Sequence, residues 1–291
     1  MPVTALEIAA RVENELGEIF AQYDLLGAPP LLGQALRYAV FPGGARVRPR
    51  LCLAVAHACG AEQLAPAVCA AAAIELLHCA SLVHDDLPCF DDADMRRGRP
   101  SVHRSFGEPT AVLVGDALIV LAFQALARPR EIPPQRIAKL LAIISNAVTA
   151  VVAGQAWECE PAVPLSTYHR AKTGSLFAAA TMAGATAAGC DGTLWRAPGE
   201  HLGEAYQVAD DIRDVIAETG EVGKPVGVDA HHGRPNAVAQ YGLSGAVNYL
   251  QELIDKAVAS IPTSPGAGLL RTLIAAEAAR LVPEKPARRA A

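Results

Sequence analysis

Two aspartate-rich segments contain the residues of this chain best suited to chemistry. The first is HDDLPCFDDADMRRG (84–98), which follows a long apolar stretch. Asp85 and Asp86 end that stretch, and Pro88 then removes a backbone donor and turns the chain. We therefore expect Asp91 to fold back towards the first two carboxylates.

The second segment is QVADDIRD (207–214). Its aspartates Asp210, Asp211 and Asp214 are spaced three and four residues apart, which places them on one helix face, with Gln207 one turn earlier. Like charges at this spacing destabilise an isolated helix. The pattern therefore predicts that a cation binds there.

The ligand chemistry favours magnesium. Carboxylates without His or Cys ligands suit hard cations, and Mg²⁺ in particular binds through one or two carboxylates together with substrate phosphates. The alternative is two solvated acidic turns. Two clusters, each with a basic motif nearby, make that alternative less favourable than it is for one cluster alone.

Three basic segments supply the positive charge: FPGGARVRPR (41–50), DMRRGRPSVH (94–103) and YHRAKTGSLF (168–177). Their side chains suited to phosphate, with one lysine from a later segment, are Arg46, Arg48, Arg50, Arg96, Arg97, Lys172, Thr173 and Lys224. Arginine binds phosphate oxygens bidentately. His78 lies two helical turns before Asp85 on the same face. Together these residues predict a site for two diphosphates.

The elements that must position these residues are helices. Apolar residues recur at spacings of three and four from Leu6 onwards, and sustained period-2 alternation is absent. The predicted helical stretches after the first are 31–41, 47–59, 64–86, 108–127, 135–156, 166–189, 197–218, 245–260 and 267–281. We expect one all-α domain over 1–282, a frayed tail over 283–291, and a closing lid in the polar segment 219–236.

Composition excludes several other classes. The chain has 291 residues, is 52% hydrophobic and carries a net charge of −5, which gives a large core and argues against a nucleic-acid partner. Its 7 cysteines form no CxxC pair and are typical of reduced thiols in a cytoplasmic protein. Glu7, Arg11 and Glu13 interrupt any secretory signal. The runs 111–127 and 176–190 are interpreted as buried helices, so no membrane span is expected.

The motifs resemble those of the trans-prenyl diphosphate synthases, and more closely those of the geranylgeranyl diphosphate synthases of carotenoid-making bacteria. The resemblance covers nearly the whole chain in order: FPGGARVRP, HCASLVHDDLPCFDDADMRRGRPSVH, FGEPTAVLVGDAL, AGQAWE, YHRAKTGSLF, YQVADDIRDV and GKPVGVD. Such a series is far more specific than a single DDxxD motif.

The resemblance implies about ten helices around a deep central cavity, usually in a homodimer. The aspartates implied to hold three magnesium ions are Asp85, Asp86, Asp91, Asp210, Asp211 and Asp214. The residues implied to contact the allylic diphosphate are Arg96, Lys172, Thr173, Gln207 and Lys224. Those implied to bind isopentenyl diphosphate are Arg48, His78 and Arg97. The central catalytic roles would fall to Asp85, Asp91, Lys172, Gln207 and Asp210.

Product length depends on the residues one turn before Asp85. Ala80 and Ser81 are small there, so the growing chain is expected to pass towards Leu77 and Leu76. A bulky aromatic residue at either position would close the cavity early and favour a C15 product. The sequence therefore favours the C20 product, geranylgeranyl diphosphate.

Three places depart from the family pattern. Ala45 stands where the family usually has a lysine, so either Arg46 or Arg50 replaces that contact or isopentenyl diphosphate binds more weakly. Glu158 stands where aspartate is commoner, and RPNAV (234–238) replaces a segment that more usually contains lysine and threonine. None of these changes touches the two aspartate motifs.

Three alternatives stay open at this point. A farnesyl diphosphate synthase would use the same motifs and stop at C15. A terpene cyclase would need no second diphosphate site and would not consume isopentenyl diphosphate. A catalytically silent subunit of a prenyl synthase heteromer would tolerate loss of an aspartate motif, whereas both are intact here.

Overall fold

The structure is a computed structural model that describes residues 5–25, 27, 29–41, 43–128, 132–160, 162–216, 235–279 and 281. Lys224, most of the predicted lid segment and the predicted tail 283–291 lie outside these residues.

Helices dominate the described chain. The α-helices are α1 (Ala5–Leu25), α2 (Pro30–Val40), α3 (Val47–Ala58), α4 (Ala65–Asp85), α5 (Val102–Phe106), α6 (Glu108–Ala127), α7 (Pro134–Ala156), α8 (Leu165–His169), α9 (Ser175–Ala187), α10 (Arg196–Ile216), α11 (Ala237–Ala259) and α12 (Ala267–Ala279). Two 3₁₀ turns cover Trp157–Cys159 and Gly192–Trp195. The only strands in the described ranges are β1 (Met95–Arg96) and β2 (Arg99–Pro100).

The core is built around α4 and α9, both of which are rich in small residues. The alanines at 70–73 in α4 are fully buried, and every residue of α9 after Ser175 is buried. Because alanine lets helix backbones approach closely, α4 packs against α3, α6 and α9 at once. This packing holds the end of α4, where Asp85 lies, at the centre of the bundle.

The predicted helix over 166–189 is divided in the structure. Arg170–Gly174 forms one π-helical turn between α8 and α9. Gly154 of α7 allows this turn to come close, since a Cβ added there would lie 2.4 Å from the backbone nitrogen of Lys172. Such wide turns are frequent at functional sites, and this one carries Lys172 and Thr173.

Two other segments differ from their prediction. The helix predicted over 245–260 begins earlier, at Ala237, and has a kink at Gly242. The loop after the first aspartates forms a short antiparallel hairpin whose turn residues, Arg97 and Gly98, both have positive φ. This hairpin brings Arg96 back over the end of α4.

Three helices are long and apolar enough to cross a membrane by length and composition alone. The apolar window of Ala65–Asp85 is 83% buried within the structure, that of Glu108–Ala127 is 44% buried, and that of Pro134–Cys159 is 22% buried. The apolar run predicted at 176–190 is therefore buried throughout α9, as expected. The run at 111–127 is buried on only one side of α6.

Candidate active site

The loop of the first motif folds back as its proline predicts. The backbone N–H of Asp91 donates to the carbonyl of Asp85 at 2.9 Å, and that of Ala93 donates to the carbonyl of Asp86 at 3.2 Å. Two backbone contacts thus close the loop and bring Asp91 to the end of α4.

Asp85 lies in a largely enclosed position, with its side chain 15% exposed. Burial raises the pKa of this carboxyl to about 6, and the nearby carboxylates of Asp91 and Glu158 add to the shift, while the ammonium of Lys172 opposes it. Lys172 Nζ is 3.9 Å from Asp85 Oδ1. The ionised carboxylate is therefore disfavoured at this position, and a bound cation would offset that cost.

Asp86 is more deeply buried than Asp85 and is paired with Arg96. Its side chain is only 3% exposed, and Arg96 Nε donates to its Oδ1 at 2.9 Å, with a second contact from the same guanidinium. The family resemblance implies that Asp86 binds magnesium and that Arg96 contacts the allylic diphosphate. In this structure they pair with each other and attach the hairpin to α4.

The aspartates of the second motif differ in exposure although they share α10. Asp210 is 44% exposed at its side chain, and Arg213 donates to it at 2.6 Å. Asp214 is 8% exposed and Asp211 only 1%. Helical spacing predicted one common face, and the structure orients Asp210 outwards and Asp211 inwards.

The two motifs are connected through Lys172 and Thr173. Lys172 faces Asp85, and the hydroxyl of Thr173 donates to Gln207 Oε1 at 2.7 Å, one turn before Asp211. Burial lowers the pKa of Arg48, and the nearby charge of Asp210 opposes that shift. Two stretches more than 100 residues apart along the chain therefore meet at one site.

Glu158 holds Lys172 in place. Its carboxylate pairs with the lysine ammonium and accepts hydrogen bonds from Tyr168 Oη at 2.5 Å and Gln155 Nε2 at 3.0 Å. The glutamate that departs from the usual aspartate is thus part of the site and keeps a carboxylate next to Lys172.

A second cationic cluster lies near His78 of α4. Arg48 stacks on the ring of Phe177 at 4.5 Å, and its Nε is a buried donor with no hydrogen-bond partner in the described chain. Burial and the guanidinium charges of Arg48 and Arg97 lower the pKa of His78 well below its ordinary value. A cluster of two arginines around a neutral imidazole is suited to an anion.

Arg46 does not belong to this cluster. It is 6% exposed, and its guanidinium donates to Glu13 at 2.7 Å and to Glu75 at 2.6 Å. These two glutamates exclude Arg46 as the replacement for the lysine missing at Ala45. Arg50, or weaker binding, is left to account for that departure.

An apolar cavity of about 400 Å³ begins at Asp85 and runs down between α4, α6 and α7. The three predicted chain-length residues, Leu77, Ala80 and Ser81, all line it. Leu76 does not, and is fully buried in the core instead. The cavity lies where the sequence placed it, along the same face of α4.

The opposite wall of the cavity was not predicted from the sequence. It consists of Ile119 of α6, with Val148, Val151 and Gln155 of α7. Ile119, Val148 and Val151 are ordinary members of apolar helices, and Gln155 belongs to the AGQAWE motif, which does not itself indicate a cavity wall. Only the packing of α7 against α4 identifies this wall.

His84, interpreted from the sequence as an ordinary polar residue, also lines the cavity. Its ring lies over Gly115 of α6, where an added Cβ would be 2.0 Å from Nε2, and Nε2 is 3.3 Å from the carbonyl of Val112. Gly115, the one glycine within this apolar helix, was the sequence signal for this contact.

The donor set fits magnesium with a diphosphate rather than a closed protein cage. Within the part of the chain that the structure describes, no three His, Cys, Asp or Glu side chains come close enough to form a metal site by themselves. Magnesium is commonly held by one or two carboxylates plus substrate phosphates. Asp85, Asp91 and Asp210 are the carboxylates that would contribute to such binding, with Asp210 exchanging its contact with Arg213 for the metal.

Comparison with known proteins agrees with this geometry. Residues 29–265 match the polyprenyl synthetase family, and the chain belongs to that family. It is 49% identical over 282 residues to the geranylgeranyl diphosphate synthase of Cereibacter sphaeroides, covering 96% of this chain and 98% of that protein. It is 47% identical over 272 residues to the enzyme of the same name from Rhodobacter capsulatus, covering 92% and 94%.

A solved structure shows the same fold. The geranyltransferase of Helicobacter pylori, complexed with magnesium and isoprenyl diphosphate, superimposes with a TM-score of 0.78 at 30% identity, over 94% of this chain and 98% of that one. The family predicted from the motifs and the all-helical fold are thus both confirmed.

Proposed function

We propose that this protein condenses isopentenyl diphosphate with C5, C10 and C15 allylic diphosphates and releases geranylgeranyl diphosphate. The two bacterial relatives carry that name. The observation that carries the proposal is the apolar cavity that begins at Asp85 and passes the small residues Ala80 and Ser81. A hydrocarbon chain can extend there while its diphosphate stays between the aspartate motifs.

The allylic diphosphate binds between Asp85, Asp91 and Asp210, which would hold the magnesium ions, three in number by the family resemblance. The Helicobacter pylori structure, with its magnesium and isoprenyl diphosphate, supports metal-assisted binding in this family. When bound, magnesium neutralises the charge that develops on the departing diphosphate. Lys172, held by Glu158, supplies a further positive charge, and Thr173 and Gln207 orient the diphosphate.

Isopentenyl diphosphate binds at Arg48, His78 and Arg97. The two guanidinium groups provide the charge, while the lowered pKa of His78 keeps its ring neutral at physiological pH until an anion approaches. The double bond of isopentenyl diphosphate then attacks the allylic cation, and the released diphosphate accepts the proton. The apolar cavity wall excludes water from the cation.

The proposal is tested by supplying the purified protein with magnesium, isopentenyl diphosphate and each allylic diphosphate in turn. We expect the C20 product from all three, measured by chromatography. A product that stops at C15 would assign the chain as a farnesyl diphosphate synthase. No consumption of isopentenyl diphosphate would contradict prenyl transfer itself.

The proposal includes a homodimer formed through the exposed side of α6. Val112 is 41% exposed, and Leu113 and Val120, which lie two turns apart, are each 54% exposed. Contiguous exposed apolar side chains commonly mark interfaces. We expect Leu113→Glu to reduce the mass measured by light scattering to that of one chain. Leu31→Glu, at an equally exposed leucine of α2, is the matched control and should leave the mass unchanged.

We further propose a single domain over 1–282 and a cytoplasmic location. All seven cysteines are free thiols, which supports a reducing compartment. Fractionation of cells that express the protein tests the location: recovery in the membrane pellet after a high-salt wash would contradict it.

A further inference from the structure

A buried polar network lies behind the second aspartate motif. Asp211 is 1% exposed, and each of its carboxylate oxygens has a donor. Oδ2 accepts from the backbone N–H of Ala237 at 2.7 Å, and Oδ1 accepts from Gln207 Nε2 at 3.2 Å. Asp211 therefore connects α10 to the first residue of α11.

His169 is the other buried member of this network. It is fully buried, and its Nε2 is 3.4 Å from Asp211 Oδ2. Neither ring nitrogen makes a hydrogen bond within the described residues. Since a normal N–H···O hydrogen bond is about 2.7–3.2 Å, a shift of a few tenths of an ångström would form one. A buried imidazole left without any partner would be costly. We therefore expect the ring to bind this carboxylate.

The network reaches the residues that face substrate. Gln207 donates to Asp211 and accepts from Thr173, which sets the orientation of its amide. His169 is the last residue of α8 and directly precedes the π-helical turn that carries Lys172 and Thr173. One buried carboxylate is thus linked to α8, α10 and α11.

We propose that His169 and Asp211 act as a positioning pair. This inference rests on the proposed function, in which the outward carboxylate of Asp210 binds magnesium. Asp211 holds the amide of Gln207 and the start of α11, while His169 holds Asp211. Residues that orient metal-binding groups from outside are commonly worth about tenfold to a hundredfold in metal affinity or activity.

The first test replaces His169. His169→Leu removes the ring nitrogens, whereas His169→Gln retains an amide N–H near the place of Nε2. We expect His169→Leu to raise the magnesium concentration for half-maximal activity, and the KM for the allylic diphosphate, by about tenfold or more. His169→Gln should restore both. Thr181→Val is the matched control, because Thr181 is equally buried and its hydroxyl donates at 2.6 Å to the carbonyl of Trp195. It should leave the magnesium dependence unchanged even if it lowers the Tm.

The second test does not depend on activity. The Ala237 amide is protected from hydrogen exchange by its bond to Asp211. We expect faster exchange in the peptide that begins α11 for His169→Leu, and near-normal exchange for His169→Gln. Hydrogen exchange can be measured even if the protein does not consume isopentenyl diphosphate. The positioning pair can therefore be tested independently of the proposed function.

A third comparison concerns the two neighbouring aspartates. Asp211→Asn retains an oxygen that can accept from Ala237, and should change the magnesium dependence much less than Asp210→Asn. Equal losses in these two variants would overturn the positioning role of Asp211. So would a His169→Gln variant no better than His169→Leu in both magnesium dependence and hydrogen exchange.

Discussion

Asp85 is expected to reduce the stability of the metal-free protein while serving its function. Its pKa is raised from 3.8 to about 6, and its side chain is only 15% exposed. The ionised carboxylate is thus disfavoured in the folded state by about two pKa units, or about 3 kcal/mol at 1.36 kcal/mol per unit. Asp85→Asn keeps the shape of the side chain and removes this cost.

The sign of the pH dependence follows from the raised pKa. Below about pH 4 the carboxyl is protonated in both folded and unfolded chains, and the charge costs nothing. Between pH 4 and 6 the unfolded chain ionises first, so the wild-type protein loses stability as the pH rises. Above pH 6 the full difference from Asp85→Asn is present.

Thermal unfolding without magnesium measures the effect. For a chain of this size about 2 °C of Tm corresponds to 1 kcal/mol, so Asp85→Asn should raise the Tm at pH 8 by about 6 °C. Asp92→Asn is the matched control, because Asp92 lies in the same loop with a 61% exposed side chain, and its Tm should stay near wild type. Addition of magnesium and an allylic diphosphate should stabilise the wild type far more than Asp85→Asn.

Either of two results would contradict a stability cost from the buried Asp85 carboxylate. One is a Tm for Asp85→Asn at pH 8 that is equal to or below that of the wild type. The other is a Tm difference that persists undiminished as the pH is lowered towards 4, because burial of the ionised carboxylate would then not be its cause.

Three further predictions concern metal binding, product length and the second substrate. Since protons compete with magnesium at Asp85, the magnesium concentration for half-maximal activity should rise about tenfold from pH 7 to pH 5; a flat profile would argue against this ligand. Ser81→Phe and Ala80→Tyr should each shift the product to farnesyl diphosphate, because a bulky ring obstructs the cavity, and unchanged chromatograms would contradict this account. Ala45→Lys should lower the KM for isopentenyl diphosphate in steady-state assays, and an unchanged KM would show that Arg50 already compensates.

Features that depend on neighbouring residues along the chain were predictable. The helices follow from apolar spacing, and the return of Asp91 towards Asp85 follows from the turn that Pro88 imposes. The cavity along α4 was also predictable, since Leu77, Ala80 and Ser81 share the face that ends at Asp85. Periodicity gives the face of a helix without reference to its partners.

Features that depend on distant partners were not predictable. The motif spacing treats Asp210 and Asp211 alike, yet one is half exposed and the other buried against Ala237. The arginine that looked able to replace the missing lysine, Arg46, is bound by Glu13 and Glu75. Its direction is set by carboxylates from α1 and α4, which no local pattern places beside it.

The sequence alone determined that this chain forms an all-helical bundle with two acidic motifs and the cations to match, because helical period and residue chemistry are local properties. Only the tertiary structure decided which carboxylates face the cavity and which ones hold neighbouring elements together. A side chain turns towards the partner that best satisfies its charge and hydrogen bonds, and here those partners come from other helices.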